Sequence, residues 1–423
     1  MMHPMEKKQR LAWLMVLAGM MVTGVSYGIV LNCFGLFVKP VSALLGFSRQ
    51  GYATSMTIVY IFHMLGSVAS GKLLERFGLL RLMRIAAVHL PAAYICNSLS
   101  TQLWQFYLIA MLQGLCVPFL SFIAFAVIIP KWFEQKRGLA IGLTFMGSGV
   151  GGMLFNTLAG EWVVPLGPVR TFQLLAAAVA CVTIPLVFFV IRTAPERAQN
   201  AAPTAQSPAL PQEGVTLQEA LRSRTFYMLL AFVMLIGFTT TVLNQTVVPR
   251  LSDLGFDPSY AARVNALFMG VLCIGKVLLG VINDRIGVKK TNLLAMGGVL
   301  LGLAGLYLSR HQAMHIAVVT GSGLGCAMGS VSYPMLTEYA CGKKDYATVY
   351  GVINAMNVLG GAVCPTLTNA IYDSTGSYDA ALIMAAGLLL LAAVCHTMVK
   401  KIRRRAAGIS GQHNVQQKGQ VHL

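Results

Sequence analysis

The sequence predicts an all-α membrane protein: twelve transmembrane helices in two pseudo-symmetric six-helix bundles, both termini cytoplasmic. Three observations predict it: long apolar runs, cations gathered on alternate loops, and a repeat shared by the two halves of the chain. Charged residues are 11% of the 423 and apolar residues 56%, whereas a soluble domain carries roughly a quarter charged residues. A chain this apolar could not cover its own core in water. The first run, 11–38, follows Lys7, Lys8 and Arg10 as a secretory signal would. It is too long for the apolar part of a signal, and many similar runs follow, so it is read as a retained helix. A bilayer core takes about 20 apolar residues per helix. Twelve segments qualify: 11–38, 51–74, 82–99, 103–130, 138–159 and 169–191, then 225–248, 260–283, 291–309, 312–337, 347–372 and 378–399.

Between the sixth and seventh segments, Pro195, Pro203, Pro208 and Pro211 stand among Ala, Gln and Ser, the composition of a flexible linker. The expected organisation is an N-terminal bundle at 1–192, a cytoplasmic linker at 193–224, a C-terminal bundle at 225–399 and a basic cytoplasmic tail at 400–423. Charge sets the orientation. Of the 32 Lys and Arg, six lie in loops of one side (Lys39, Arg49, Arg170, Arg250, Arg263 and Arg310) and one, Lys276, lies within a span. The rest lie on the side of the N-terminus, which the positive-inside rule makes the cytoplasm. The net charge of +18 therefore faces acidic lipid headgroups, and no nucleic-acid partner is expected. The nine cysteines show no C-x-x-C spacing, so neither a disulfide framework nor a metal or other cofactor is expected. With no nucleophile–base set and no G-x4-G-K-[ST] motif, neither an enzyme nor an ATP-driven pump is expected.

The repeat has three anchors. Pro40-x4-Leu45-Gly46-Phe47 returns as Pro249-x4-Leu254-Gly255-Phe256. Gly71-x3-Glu75-Arg76-x-Gly78 returns as Gly280-x3-Asp284-Arg285-x-Gly287. Gly142-x8-Gly151-Gly152 returns as Gly351-x8-Gly360-Gly361, and every pair is 209 positions apart. Gly78 and Gly287 permit a very short turn, and the acid and arginine before each can pair with neighbouring helix ends. Gly142, Gly147, Gly151 and Gly152 line one helix face that a second backbone can approach closely.

The G-x3-[DE]-R-x-G loop, present twice and in register, resembles the signature of the major facilitator superfamily. The resemblance covers nearly the whole chain. It implies two bundles of inverted three-helix repeats around a central cavity, with Gly71, Glu75, Arg76, Gly78, Gly280, Asp284, Arg285 and Gly287 as a cytoplasmic gate latch. The run Lys131-Trp132-Phe133-x3-Arg137-Gly138-Leu139-Ala140-x-Gly142-Leu143 is similar to the helix 4–5 junction of monocarboxylate transporters and oxalate/formate exchangers. Drug/proton antiporters often carry G-P-x-x-G-G in helix 5, where this chain has Gly147-Ser148-Gly149-Val150-Gly151-Gly152.

Lys276 is the leading candidate for a substrate site. It precedes Asp284 by eight residues, about 12 Å along a helix, which places it near the middle of a hydrocarbon core roughly 30 Å thick. A cation there costs on the order of 2.5–3.5 kcal/mol and marks function by default. Its repeat equivalent is Ser67, so the fold itself does not require the charge. The alternative is a lysine paired to backbone carbonyls or to an acid on another helix; left unpaired, a buried cation favours an anionic cargo. In the monocarboxylate branch this position is typically arginine, with a lysine in helix 1 and an acid four residues before it. Here those two positions are Asn32 and Leu272, so proton coupling of that type is not carried over.

His63, on the second helix, is the next candidate, as a proton carrier or a substrate hydrogen bond. Tyr27, Asn32, Asn244, Tyr333 and Asn357 are polar groups on helices expected to line the cavity. The expected function is transport of small organic anions of the monocarboxylate type, by proton symport or exchange against a counter-anion. The rivals are efflux of amphiphilic compounds and, ranked lower, an anion sensor built on a transporter. The expected location is the plasma membrane, or the inner membrane in a bacterium. Oligomeric state is left open.

Overall fold

The computed structural model describes residues 4–133, 135–193 and 214–402. Every element is helical apart from one isolated bridge between Gly214 and Gly342. The N-terminal bundle contains α1 (Pro4–Tyr27), α2 (Phe34–Leu45), α3 (Arg49–Phe77), α4 (Leu79–Leu99), α5 (Leu103–Leu120), α6 (Phe122–Trp132) and α7 (Arg137–Pro185). A short α8 (Leu217–Leu221) precedes the C-terminal bundle. That bundle contains α9 (Arg224–Asp253), α10 (Pro258–Ile286), α11 (Val288–Tyr307), α12 (Met314–Ala317), α13 (Gly323–Cys326), α14 (Met328–Cys341), α15 (Tyr346–Thr375) and α16 (Asp379–Met398).

Among the described residues, ten helices are long and apolar enough to cross a membrane. One of them, Arg137–Val190, is 54 residues long. It is divided where Gly167 leaves helical backbone at φ 74° and ψ 168°. The part before Gly167 packs on α1, and the part after it reaches α4, where Thr183 Oγ1 donates to the Ala87 carbonyl at 3.2 Å. Val288–Tyr307 is a further helix of 20 residues, its N-terminal end carrying Lys289 and Lys290.

Local chemistry explains the boundaries. Ser48 caps α3, accepting the Gly51 N–H at 3.0 Å, which satisfies a backbone donor the helix itself leaves open. At the other end Gly78 takes φ 75°, and its repeat partner Gly287 takes φ 81°. A side chain is strained there, so both loops need glycine. Two helices are interrupted at mid-course. A π-turn at Gly28–Asn32 joins α1 to α2, and Ser121 (φ −139°, ψ −132°) separates α5 from α6. The Leu120 carbonyl beside that break accepts from Ser26 Oγ at 2.8 Å.

The ends of the elements differ from the sequence expectation in an informative way. α9 runs past the expected edge at 248, so Arg250 is in its last turn instead of a loop. Arg250 is 5% exposed, donates to Ser377 Oγ at 3.2 Å and is ion-paired with Asp379. That pairing makes a buried guanidinium tolerable. Lys39 and Arg263 likewise sit inside α2 and α10. Residues 194–213 of the expected linker and 403–423 of the tail lie outside the described residues. In the described part of the linker, Val215 N–H donates to the Cys341 carbonyl at 2.9 Å, and Thr216 and Glu219 form a capping box at α8. Ile402 N–H donates to the Ala340 carbonyl at 2.8 Å. These contacts gather on the face that also carries Gly78 and Gly287, here called the motif face.

Candidate functional site

The two bundles meet along two seams, α7 on α10 and α3 on α15. Glycine makes both possible. A Cβ on Gly142 would collide with the Lys276 carbonyl, and one on Gly351 would collide with the Ser67 carbonyl. Nearer the motif face, Gly138 and Gly280 stand backbone to backbone, while Gly71 lies against Thr348. On its other side α7 uses Gly147 and Gly151 to lie against Met20 and Gly24 of α1. Helix-on-helix approach of this kind is what small residues allow within a bilayer, where hydrophobicity alone does not hold helices together.

Lys276 sits in the α7–α10 seam and is 6% exposed. The cation is hydrogen-bonded, partly to a backbone carbonyl as the alternative reading allowed, but to no acid among the described residues. Its Nζ donates to Ser148 Oγ at 2.7 Å and to the Phe145 carbonyl at 3.2 Å, both on α7. Ser148 Oγ in turn donates to the same Phe145 carbonyl at 2.9 Å. Asn32 Nδ2, at the end of the π-turn, donates to the Ser148 carbonyl at 3.2 Å. Three helical segments thus converge on Ser148, and two of the sequence candidates, Lys276 and Asn32, are joined through it. Both partners of the ammonium are neutral, so its charge has no counter-ion among the described residues.

The other candidates are distributed more widely. His63 is 2% exposed, its Nδ1 has no hydrogen-bond partner, and its ring meets Tyr27 edge-on with centroids 6.4 Å apart. Those two form a second polar pair inside the N-terminal bundle. Asn244 is exposed on α9. Asn357 packs against Gly237 of α9, within the C-terminal bundle. Tyr333 is fully buried in that bundle, its hydroxyl directed at the Val233 carbonyl 3.5 Å away.

The motif residues divide too. Helix α7 begins after Lys136, which has left-handed backbone and gives no side-chain cap. Asp284 of α10 supplies the cap from the opposite bundle, accepting Gly138 N–H at 2.8 Å and Leu139 N–H at 3.0 Å. A carboxylate at a helix N-terminus is favoured by both hydrogen bonding and the helix dipole. Its counterpart Glu75 is exposed and makes no hydrogen bond or ion pair. Arg76 lies over the adjacent Phe77 ring at 5.4 Å, and Arg285 is exposed. A further tie was missed from sequence: Arg137 Nη1 and Glu338 Oε1 are 2.9 Å apart, joining α7 to α14. Arg137 stands in the helix 4–5 junction quoted above, but nothing in the sequence pointed to Glu338 as its partner.

A cavity of about 1350 Å³ opens on the motif face, lined by Arg137, Asn283, Asp284, Glu338 and Tyr346 among others. It does not reach Lys276, which lies two turns deeper on α10. Among the described residues, the hydrogen bonds that cross between bundles run from Lys276 at mid-span to the motif face.

Comparison with known proteins places this architecture. Among curated sequences, the chain is 23% identical over 332 residues to the "Uncharacterized transporter ESBP6" of Saccharomyces cerevisiae, covering 77% of this chain and about half, 49%, of that protein. It is 25% identical over 391 residues to "Monocarboxylate transporter 13" of Rattus norvegicus, covering 89% of this chain and 86% of that one. It is 24% identical over 421 residues to "Multidrug resistance protein MdtG" of Klebsiella pneumoniae, covering 96% and 97%. Two solved structures share the fold: the proton:xylose symporter XylE (TM-score 0.67, 13% identity, 92% of this chain and 95% of that one) and FucP in an outward conformation (TM-score 0.65, 13% identity, 92% and 100%). The family model of the Major Facilitator Superfamily matches residues 15–363 and 230–418; the chain belongs to that superfamily and is a multi-pass membrane transporter.

Proposed function

We propose that this transporter carries small organic anions of the monocarboxylate type by alternating access. The observation that carries the reading is Lys276: a buried ammonium between the bundles whose partners, Ser148 Oγ and the Phe145 carbonyl, are both neutral. A carboxylate would supply the opposite charge that neither of these neutral acceptors provides, making a hydrogen bond ionised on both sides. Asn32, Tyr27 and His63 supply polar groups from the N-terminal bundle, and Asn244, Tyr333 and Asn357 are the remaining candidates from the C-terminal one. The ten membrane-length helices, the division of one at Gly167, and Val288–Tyr307 support twelve spans. The distribution of Lys and Arg supports cytoplasmic termini, and the location proposed with it is the plasma membrane, or the inner membrane in a bacterium. In that orientation the motif face is cytoplasmic and both seams are closed on that side. Glu75, Arg76, Asp284 and Arg285 with their flanking glycines then act as the cytoplasmic latch, with Asp284 and the Arg137–Glu338 pair as its engaged parts.

A second reading, efflux of amphiphilic compounds, is favoured by the likeness to MdtG over nearly the full length of both chains. Uptake of radiolabelled lactate, pyruvate, formate and oxalate into proteoliposomes, with and without a pH gradient, separates the two. Carriage of at least one of these anions is expected. Failure of all four, alongside extrusion of a lipophilic dye, would overturn the anion reading in favour of efflux.

A further inference from the structure

Lys276 belongs to α10 of the C-terminal bundle, whereas both acceptors of its ammonium belong to α7 of the N-terminal one. The group proposed to hold the cargo therefore also ties the bundles together. We infer that Ser148 is a stand-in for the cargo carboxylate. In the empty carrier its hydroxyl holds the Lys276 ammonium; an arriving anion displaces it and thereby releases the tie between α7 and α10. The inference rests on the reading of Lys276 as an anion site and adds the residue that couples that site to movement.

Four features support this role. First, the hydroxyl is oriented as an acceptor: Ser148 Oγ donates its proton to the Phe145 carbonyl at 2.9 Å, which leaves its lone pairs for Nζ at 2.7 Å. Second, the backbone that carries it is held from a third segment, Asn32 Nδ2 donating to the Ser148 carbonyl at 3.2 Å. Third, a hydroxyl and a carbonyl hold the ammonium without neutralising it, so a carboxylate wins the exchange on charge. Fourth, the corresponding place in the other seam is occupied by a neutral pair, Asn354 Nδ2 donating to Ser67 Oγ at 3.1 Å, which no anion would draw apart by charge. The consequence concerns the empty carrier. Parting α7 from α10 without an anion strands a buried ammonium, so an empty carrier returns slowly and exchange outruns net movement.

The test uses full-length wild-type protein and the Ser148→Ala variant in proteoliposomes, with radiolabelled lactate, pyruvate, formate and oxalate as probes. Removing the competing hydroxyl is expected to tighten anion binding about tenfold, the effect of one hydrogen bond to a charged group. It should also raise net efflux severalfold relative to exchange. Weaker binding in Ser148→Ala, the mark of a damaged helix or of a hydroxyl that helps hold the anion, would overturn the stand-in role. A second measurement needs no variant: Cys273, one turn before Lys276, lies against Gly149 of α7 in the same seam. Maleimide labelling of Cys273 in wild-type protein, read by peptide mass spectrometry, should accelerate when the carried anion is added. Unchanged affinity and an unchanged exchange-to-net ratio in Ser148→Ala, or no anion effect on Cys273 in wild-type protein, would overturn the role of Ser148 while leaving Lys276 as an anion site. Wild-type protein that neither binds nor carries any of the four probes would overturn both.

Discussion

The two seams are built from corresponding residues and differ in charge. In one, Gly351 rides on the Ser67 carbonyl and Asn354 donates to the Ser67 hydroxyl. In the other, Gly142 rides on the Lys276 carbonyl and the Lys276 ammonium reaches Phe145 and Ser148. Gly142 and Gly351, Ser67 and Lys276, and Phe145 and Asn354 are all related by the same 209-residue offset. The backbone contact is thus made equally well with and without a cation, which identifies the charge as an addition to the architecture. The contrast recurs at the motif face, where Asp284 caps α7 while Glu75 stands exposed. One seam is neutral and the other carries the charged chemistry at both depths.

The comparison breaks most visibly at its charged residue. Lys276→Ala should lower anion transport about 100-fold or more, the worth of two hydrogen bonds to a charged group, whereas Ser67→Ala should stay within about fivefold, the worth of one neutral hydrogen bond. Initial rates in proteoliposomes measure both. Lys276→Arg should fall between, because the charge is kept but the geometry changes. Equal losses at Ser67 and Lys276 would dissolve the distinction between the seams.

Steric substitutions should instead affect both seams alike. Gly142→Val and Gly351→Val each force a side chain into an opposing carbonyl, and overpacking of this kind costs about 1–3 kcal/mol. Both variants should expose cysteines placed near the motif face to a water-soluble maleimide about tenfold faster. A smaller effect is expected at the caps. Asp284→Asn keeps the shape but removes the charge facing the α7 N-terminus, costing about 0.3–1 kcal/mol, or up to about fivefold in the population of the closed seam. Glu75→Gln should change nothing. Spin-label distances across α7 and α10 report the difference.

Much of the architecture was legible before any coordinates. Apolar runs gave the helices, and the repeat gave their correspondence, because turns at Gly78 and Gly287 require glycine whatever packs around them. The asymmetry between Ser67 and Lys276 also stood in the sequence. What did not was the identity of the groups that meet them. Ser148 was visible only as a serine where a related pattern has proline, since its bond to Lys276 depends on how α7 and α10 slide into register. Nor did the sequence show that Tyr333 directs its hydroxyl at the Val233 carbonyl and is fully buried, because one face of a helix in a bundle cannot be told from another by polarity alone. Arg250 was placed in a loop because its burial depends on Asp379, a partner 129 positions away.

The central claim is that Lys276 receives the anion. Its most direct test is equilibrium binding of the carried carboxylate to purified wild-type, Ser67→Ala and Lys276→Ala proteins by isothermal titration calorimetry. The account predicts saturable binding of similar affinity to the first two and none to the third. Binding to Lys276→Ala with wild-type affinity would contradict it.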